Sequence, residues 1–214
     1  MKKDGHIFSK PKINNMKKHF LSVVMVLFVI TSVSAQNLQF GISGGIDAAR
    51  LAISGATGGP LKHRIDLAGG LNLEAGISDQ FAVQLEVNYS RQGTAIVAVD
   101  GSNIGSIQSD YLTIPVIVKL YGTPRLNFFA GPQVGLLLSS KQRMQGQEEQ
   151  DVKDQFKSTD FYAVFGSEYK FANGIFVSAR YNLGLTNVVD EDALPDNDWK
   201  NRYLSFRLGY AFKL

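Results

Sequence analysis

The chain has 214 residues, of which 44 % are hydrophobic and 19 % charged, and this length is sufficient for one domain with a sizeable buried surface. The complete lack of cysteine excludes disulfides and zinc sites built on Cys–His spacing. The net charge of +3 comes from the first 35 residues, with six Lys and one Asp; the remaining 16 basic and 18 acidic residues offer no basic surface for nucleic acid.

Residues 1–35 are expected to form a leader and signal peptide. A short basic segment starting at Met16 precedes an apolar run over 20–30, and Val33 and Ala35 supply the small residues found before a cleavage point. The apolar run is shorter than the roughly 20 residues that a membrane-spanning helix requires. The sequence therefore predicts a start at Met16, cleavage after Ala35 and a mature domain over 36–214.

The mature domain alternates apolar and polar residues with a period of two, which is typical of β-strands. Eight such runs are predicted, over residues 39–50, 66–77, 80–91, 110–121, 125–140, 159–171, 174–186 and 202–214. Each has about ten residues or more, the length of a tilted strand that crosses a membrane. The predicted fold is all-β, an eight-stranded antiparallel up-and-down transmembrane β-barrel.

The connections between these runs alternate in length. Long segments are predicted over 51–65, 92–109, 141–158 and 187–201, and tight turns lie between them. Alternate connections of an up-and-down barrel lie at the same end. The pattern therefore predicts long loops on one rim and turns on the other, as in outer-membrane barrels.

The two faces of each predicted strand differ in composition. In "SARYNLGLTN", residues 178–187, Tyr181 falls on an apolar face without charged residues and Arg180 on a face of small and polar residues. Side chains just fill the interior of an eight-stranded barrel. Seven charged residues on the second face are expected to form a structural network of buried ion pairs: Asp47, Glu74, Glu86, Lys119, Glu168, Arg180 and Arg207. An ion or proton path along them is the alternative.

Two further features concern the strand ends and interiors. Aromatic residues near the ends predict belts at both membrane interfaces. These are Phe81, Tyr121, Tyr169, Phe171, Phe176, Tyr210 and Phe212 on the turn side, and Tyr89, Phe161 and Tyr203 on the loop side.

Pro115 and Pro132 lie inside predicted strands and predict bulges or local distortion, because proline has no N–H for the ladder.

Four segments in this order resemble the PorT-like outer-membrane β-barrel family of Bacteroidota-type bacteria: "YLTIPVIVKLY" (111–121), "FAGPQVGLLLS" (129–139), "GIFVSARYNLGLTNV" (174–188) and the closing "RLGYAFKL". The resemblance implies a signal-bearing eight-stranded barrel of the outer membrane, and the family's namesake is linked to protein secretion. Such chains usually end on an aromatic residue, whereas here Lys213 and Leu214 follow Phe212.

The sequence contains few groups for catalysis. His63, the only histidine after residue 35, lies in a predicted loop, and no G-x-S-x-G element is present. We therefore expect no catalytic, cofactor or metal site, and an outer-membrane protein with a structural or interaction role whose loops face the exterior. The alternatives are a narrow pore or a component of a protein-secretion apparatus, and a soluble periplasmic ligand-binding barrel. Expected partners are outer-membrane lipid and lipopolysaccharide, the barrel-assembly machinery and secretion-system proteins, but not nucleic acid.

Overall fold

The computed structural model describes residues 38–54, 61–98, 100–190 and 198–214, without the side chains of 53, 54 and 61. The predicted leader and signal peptide lies outside the described residues. Where the chain is described, no helix is long and apolar enough to cross a membrane.

The described residues form nine strands and a single-turn 3-10 helix over Lys153–Gln155. The strands are β1 (Leu38–Ser54), β2 (Leu61–Gly76), β3 (Phe81–Val97), β4 (Asn103–Tyr121), β5 (Leu126–Met144), β6 (Gln150–Asp151), β7 (Thr159–Lys170), β8 (Ile175–Gly184) and β9 (Asp198–Lys213). Each long strand pairs antiparallel with its neighbours in the chain, and β1 pairs with β9, so eight strands close into a ring. The two-residue β6 is an addition to the edge of β5. The predicted eight-stranded up-and-down barrel is confirmed.

Strand alternation separates the inner and outer surfaces of the ring. In β3, Gln84 and Glu86 are buried inside, whereas Val87 and Tyr89 are exposed outside. Large apolar side chains cover the outer surface, including Ile42, Ile46, Leu71, Leu73, Val118, Leu120, Phe128, Phe165, Val177, Phe206 and Leu208. An apolar surface of this extent is found on a membrane-embedded or partner-bound protein rather than on a soluble monomer. We call this surface the apolar belt.

The strands extend farther than the alternation predicts. The short turns over 77–80, 122–125 and 171–174 lie at one end of the barrel, here called the turn end. At the opposite loop end, the predicted long connections over 51–65 and 92–109 are partly strand, because β1 continues to Ser54, β2 begins at Leu61, β3 continues to Val97 and β4 begins at Asn103. Among the described residues, 145–158 and 185–190 lie outside the long strands at this end. Beyond the apolar belt the outward side chains meet water, while inward ones such as Ile107 pack in a buried apolar cluster. The alternation of apolar outward and polar inward residues therefore ends, while backbone pairing continues.

Of the predicted bulges or local distortion at Pro115 and Pro132, the structure has a local distortion without a bulge. The β4–β5 register is the same at Pro115 and at Val118, although the pairing is interrupted at the two positions between them. Pro132 pairs with Ala163 in an unbroken ladder with β7. The barrel therefore accommodates the missing N–H groups by local gaps in the ladder. Register shifts occur elsewhere, between His63 and Ala68, at Ile96 and Val97, and at Asp110 and Tyr111.

The prediction that aromatic residues near the strand ends form belts at both membrane interfaces is partly wrong. Phe81, Phe171, Tyr210, Phe212, Tyr89 and Phe161 are exposed at the outer surface. Phe176 and Tyr203 are instead buried inside the barrel, and the Tyr121 hydroxyl hydrogen-bonds an interior carboxylate. Position near a strand end is insufficient, because the parity of a residue along its strand decides whether its side chain faces outward or inward.

Candidate functional site: the barrel interior

All seven charged residues predicted for the interior have buried side chains. They form three groups along the barrel axis. These are the turn-end cluster of Glu74, Lys119 and Glu168, the middle cluster of Glu86 and Arg180, and the loop-side cluster of Asp47 and Arg207.

The turn-end cluster is centred on Lys119 of β4. Its Nζ donates to Glu74 Oε2 at 2.7 Å and to Glu168 Oε1 at 2.8 Å. Lys170 Nζ lies 3.3 Å from Glu74 Oε1, and the Tyr121 hydroxyl donates to the same oxygen at 2.6 Å. Two ammonium groups thus balance two carboxylates, which is the condition for keeping buried charges at tolerable cost.

The middle cluster is a two-pronged ion pair between β8 and β3. Arg180 Nη1 and Nη2 donate to the two carboxylate oxygens of Glu86 at 2.8 and 3.1 Å. Gln84 Nε2 and Asn88 Nδ2 donate to those same oxygens at 2.6 and 2.8 Å. The guanidinium lies 5.1 Å from the centre of the Phe129 ring, within cation–π range. Bidentate geometry fixes both side chains in place.

A glycine makes room for this arrangement. A Cβ on Gly166, the β7 residue paired with Arg180, would lie 2.8 Å from Phe129 Cζ. It would lie closer still to the backbone oxygen of Ala179 in β8. Both the neighbouring backbone and the ring beside the guanidinium therefore require glycine at this position.

The loop-side cluster joins β1, β9 and β3. Arg207 Nη2 lies 2.8 Å from Asp47 Oδ1, an ion pair without hydrogen-bond alignment, while Nη1 donates to the Ile46 carbonyl oxygen at 3.0 Å. Ser90 Oγ donates to Asp47 Oδ2 at 2.5 Å. With Lys170 counted in the turn-end cluster, each of the three clusters is electrically neutral.

Sequence reasoning missed two interior residues, Lys170 and Asp160. Lys170 belongs to the turn-end cluster, and Asp160 is fully buried, accepting from Thr186 Oγ1 at 2.5 Å and from Asn201 Nδ2 at 3.0 Å. Both have the same parity as Glu168 in β7, and that parity was the available signal. No cation lies within ion-pair distance of Asp160 in the described part of the chain.

An apolar cluster closes the loop end of the interior. This loop-end plug consists of Leu51, Ile107, Tyr111, Leu137, Val152, Phe156, Val188 and Val189, with Ile96 and Trp199 packed against it. Phe156 and Val189 form a single antiparallel bridge, and Lys157 N donates to Val188 O at 2.8 Å. The two long connections are thus tied together over the barrel mouth.

The turn end is open only to a shallow depth. A cavity of about 420 Å³ lies there, lined among others by Gln39, Tyr121, Arg125 and Lys170. The next gap inward, bounded by Asn72, Lys119 and other side chains, is too small to hold a water molecule. Among the described residues, side chains therefore close the interior at the turn-end cluster, and the loop-end plug is packed at the opposite end.

Other candidate chemistry is sparse. His63 is exposed in β2 rather than in the predicted loop. The described residues contain no group of three or more His, Cys, Asp or Glu side chains that could hold a metal ion.

Comparisons with known proteins agree with this architecture. The family described as outer membrane protein beta-barrel domain matches residues 34–190. No curated protein matches the chain.

Among solved structures, Neisserial surface protein A is 12 % identical with a TM-score of 0.54, over 81 % of this chain and 97 % of that one. Ail, the attachment invasion locus protein of Yersinia pestis, is 14 % identical with a TM-score of 0.48, over 82 % and 99 % of the two chains. OprG from Pseudomonas aeruginosa is 15 % identical with a TM-score of 0.44, over 84 % and 98 %. The likeness to the Neisserial protein shows a shared fold.

The family match covers most of the barrel, and it explains an outer surface that is apolar around the ring. An outer-membrane location excludes the soluble periplasmic ligand-binding barrel considered from the sequence. This chain belongs to the outer membrane protein beta-barrel domain family and is a protein of the outer membrane.

Proposed function

We propose that this protein has a structural or interaction role in the outer membrane, has no intrinsic catalysis, and presents its loop end to the exterior. One observation carries the proposal: side chains close the interior at the turn-end cluster, and the loop-end plug is packed at the opposite end. A solute path would need mobile charges and water along the axis, whereas these charges are paired and neutral in each cluster.

The outer ends of the strands offer the contact surface. Short turns are periplasmic in outer-membrane barrels, so the loop end faces outward. There β4 and β5, each of 19 residues, continue past the apolar belt as paired ribbons. Such ribbons are rigid surfaces for partner proteins outside the cell.

Single-channel recording in planar bilayers tests the closed interior. We expect reconstituted protein to give no conductance steps above a protein-free bilayer, while an open porin in the same lipid gives clear steps. Heat-modifiable mobility on gels shows that the inserted protein is folded. Reproducible steps from the folded protein would replace this proposal with the narrow-pore alternative.

A second candidate is a component of a protein-secretion apparatus. The PorT-like motifs over 111–121, 129–139 and 174–188 favour it. Crosslinking in intact cells followed by mass spectrometry should then recover secretion-system proteins in addition to the barrel-assembly machinery. Recovery of the assembly machinery alone would argue against the secretion role.

Residues 1–35 are proposed to direct export. Amino-terminal sequencing of the protein isolated from outer membranes should begin at Gln36, and a shortened chain that starts at Met16 should be exported equally well. An intact leader on the membrane-inserted protein would contradict this assignment. Lipid and lipopolysaccharide contact with the apolar belt is likewise part of the proposal.

A further inference from the structure

We propose that Arg50 and Arg202 form a binding site for the phosphate group of an anionic outer-leaflet lipid. The two arginines are direct partners in the antiparallel pairing of β1 with β9. Their chain neighbours Ala49 and Tyr203 are buried inside the barrel, so both guanidinium groups belong to the outer face. This inference rests on the membrane orientation and is independent of the proposed interaction role.

Two like charges directly opposite each other on a sheet face destabilise the pairing unless an anion lies between them. Within the described residues, no carboxylate lies within ion-pair distance of either guanidinium. Arg202 Nε is buried and has no hydrogen-bond partner among the described residues. The buried Nε is not itself accessible to an external ligand, so the terminal guanidinium nitrogens of the exposed Arg50 and the half-buried Arg202 are the donors for an anion that the described part of the chain does not contribute.

The height of the pair along the barrel matches the lipid headgroups. From Leu204 to Leu214 the outward positions of β9 are apolar, and Arg202 is the next outward residue. At about 3.4 Å per residue and a tilt near 40°, this stretch spans roughly 25 Å, the height of the apolar band of an outer-membrane barrel. Because the loop end faces outward, the guanidinium groups lie at the level of the outer-leaflet phosphates.

Another outward-facing arginine just above the apolar belt is already paired with an acid of the chain. Arg91 is also the first outward residue above the belt, following Tyr89 in β3. Its Nε donates to Asp110 Oδ1 at 2.9 Å, so this arginine needs no external anion. Because Arg91 has an acidic partner and Arg50 and Arg202 have none among the described residues, the β1–β9 arginine pair is the one available to a ligand.

The next basic residue beside the pair is already satisfied within the chain. Lys200, the next outward residue of β9, is paired with Ala52, and its Nζ lies 3.2 Å from Asp198 Oδ2 in an exposed ion pair. Guanidinium groups bind phosphate in bidentate fashion, so the two arginines supply the donors of the site. The chemistry therefore fits a phosphomonoester better than a zwitterionic headgroup, which carries its own ammonium group.

The test compares spin-labelled phosphatidic acid with spin-labelled phosphatidylcholine at the surface of the protein reconstituted in phosphatidylcholine vesicles. We expect a preference for phosphatidic acid of about tenfold, since each basic residue near a membrane surface contributes to binding of anionic lipid. Arg50→Gln/Arg202→Gln should lose nearly all of this preference. Arg50→Lys/Arg202→Lys should retain a large part of it.

Lys141→Gln/Arg143→Gln is the matched control, because it removes the same charge from exposed side chains that already share Glu149. This control should keep the wild-type preference. Heat-modifiable mobility verifies folding of every variant. Equal lipid preference in the wild type and in Arg50→Gln/Arg202→Gln would overturn the site.

Two further experiments test whether an anion other than a lipid phosphate occupies the site. The segment 191–197, outside the described residues, contains Glu191, Asp192 and Asp196. If Glu191→Gln/Asp192→Asn/Asp196→Asn is required before phosphatidic acid is preferred, the guanidinium groups are occupied by the protein's own acids and the proposal fails. If millimolar inorganic phosphate abolishes the preference, the ligand is free phosphate and a lipid site is excluded.

Discussion

At the scale of single residues, the interior clusters differ in how firmly each charge is held. Glu86 accepts four hydrogen bonds, two of them from Arg180, while Asp47 combines an unaligned ion pair with one hydroxyl donor. Removing one partner of a buried pair leaves the other charge without compensation, which costs far more than the pair contributes. The Arg180–Glu86 pair is therefore a sensitive point of the interior.

We expect Glu86→Ala to lower the free energy of unfolding by about 3–5 kcal/mol, the usual cost of orphaning a buried charge. The fluorescence of Trp199, the only tryptophan, reports unfolding by denaturant in detergent micelles. The double variant Glu86→Leu/Arg180→Met should recover much of the loss, because no charge is left buried. A double variant as unstable as the single one would show that the charge of Arg180 is not the cause.

Glu149 provides a titration test outside the membrane-spanning strands. Hydrogen bonds from Lys141 and then Arg143, both at 2.7 Å, lower the pKa of Glu149 below its usual value of 4.5. Because the folded-state pKa is the lower one, this contribution to stability is fully present above pH 4.5. It is lost as the pH falls through the lowered pKa.

The carboxyl carbon resonance of Glu149 followed by NMR should thus titrate with a midpoint below 4.5. Lys141→Gln should move that midpoint upward, and Asp100, distant in sequence, should titrate unchanged in this variant. A midpoint that is insensitive to Lys141 would mean that the contact is absent in solution.

At the scale of elements, the strands are longer than the membrane requires. β3 and β4 remain paired from Arg91 with Asp110 up to Val97 with Asn103. The part of this ribbon beyond the belt has water on its outer face, so its sequence shows no alternation. Backbone hydrogen bonds hold it together with the packing of Ile96 and Ile107 in the loop-end plug. Gly93, whose positive φ is 145°, allows close approach to the β4 backbone.

Hydrogen exchange distinguishes a paired ribbon from a loop. Amides over 103–109 should exchange at least about 100-fold more slowly than those over 145–149, because ladder hydrogen bonds protect them. Mass spectrometry of peptic fragments from protein in micelles measures this. Equally fast exchange in both segments would mean that 103–109 form a loop, as the alternation pattern predicts.

At the scale of the whole molecule, ring closure separates an outer surface that contacts lipid from an interior that holds the charges. Closure also satisfies every strand edge within the membrane, where no water is available to the backbone. Trp199 follows the interior parity and packs against Phe156, with ring centres 6.2 Å apart. Its fluorescence therefore reports which surface meets the acyl chains.

Brominated acyl chains quench only tryptophans that they contact. We expect little quenching of Trp199 in the wild type and strong quenching in Trp199→Phe/Phe206→Trp, because Phe206 is exposed on the apolar belt. Folded protein in brominated vesicles, compared with the same protein in unbrominated lipid, provides the measurement. The opposite order of quenching would invert the assignment of the two surfaces.

The sequence by itself determined the number of membrane strands, their direction and the inward face of each, because period-two alternation is a local property that lipid imposes on one side. It also identified seven interior charges, since a charge on the interior parity has no other place to lie. Lys170 and Asp160 carried the same signal and could have been predicted.

Only the tertiary structure decided which of these charges meet. Glu74 and Lys119 are 45 positions apart, and Glu86 and Arg180 are 94 positions apart. Their contact depends on the stagger of neighbouring strands around the ring, which alternation does not encode. The loop-end plug likewise required the structure, because its members come from strand ends and loops that approach one another only when β9 pairs with β1.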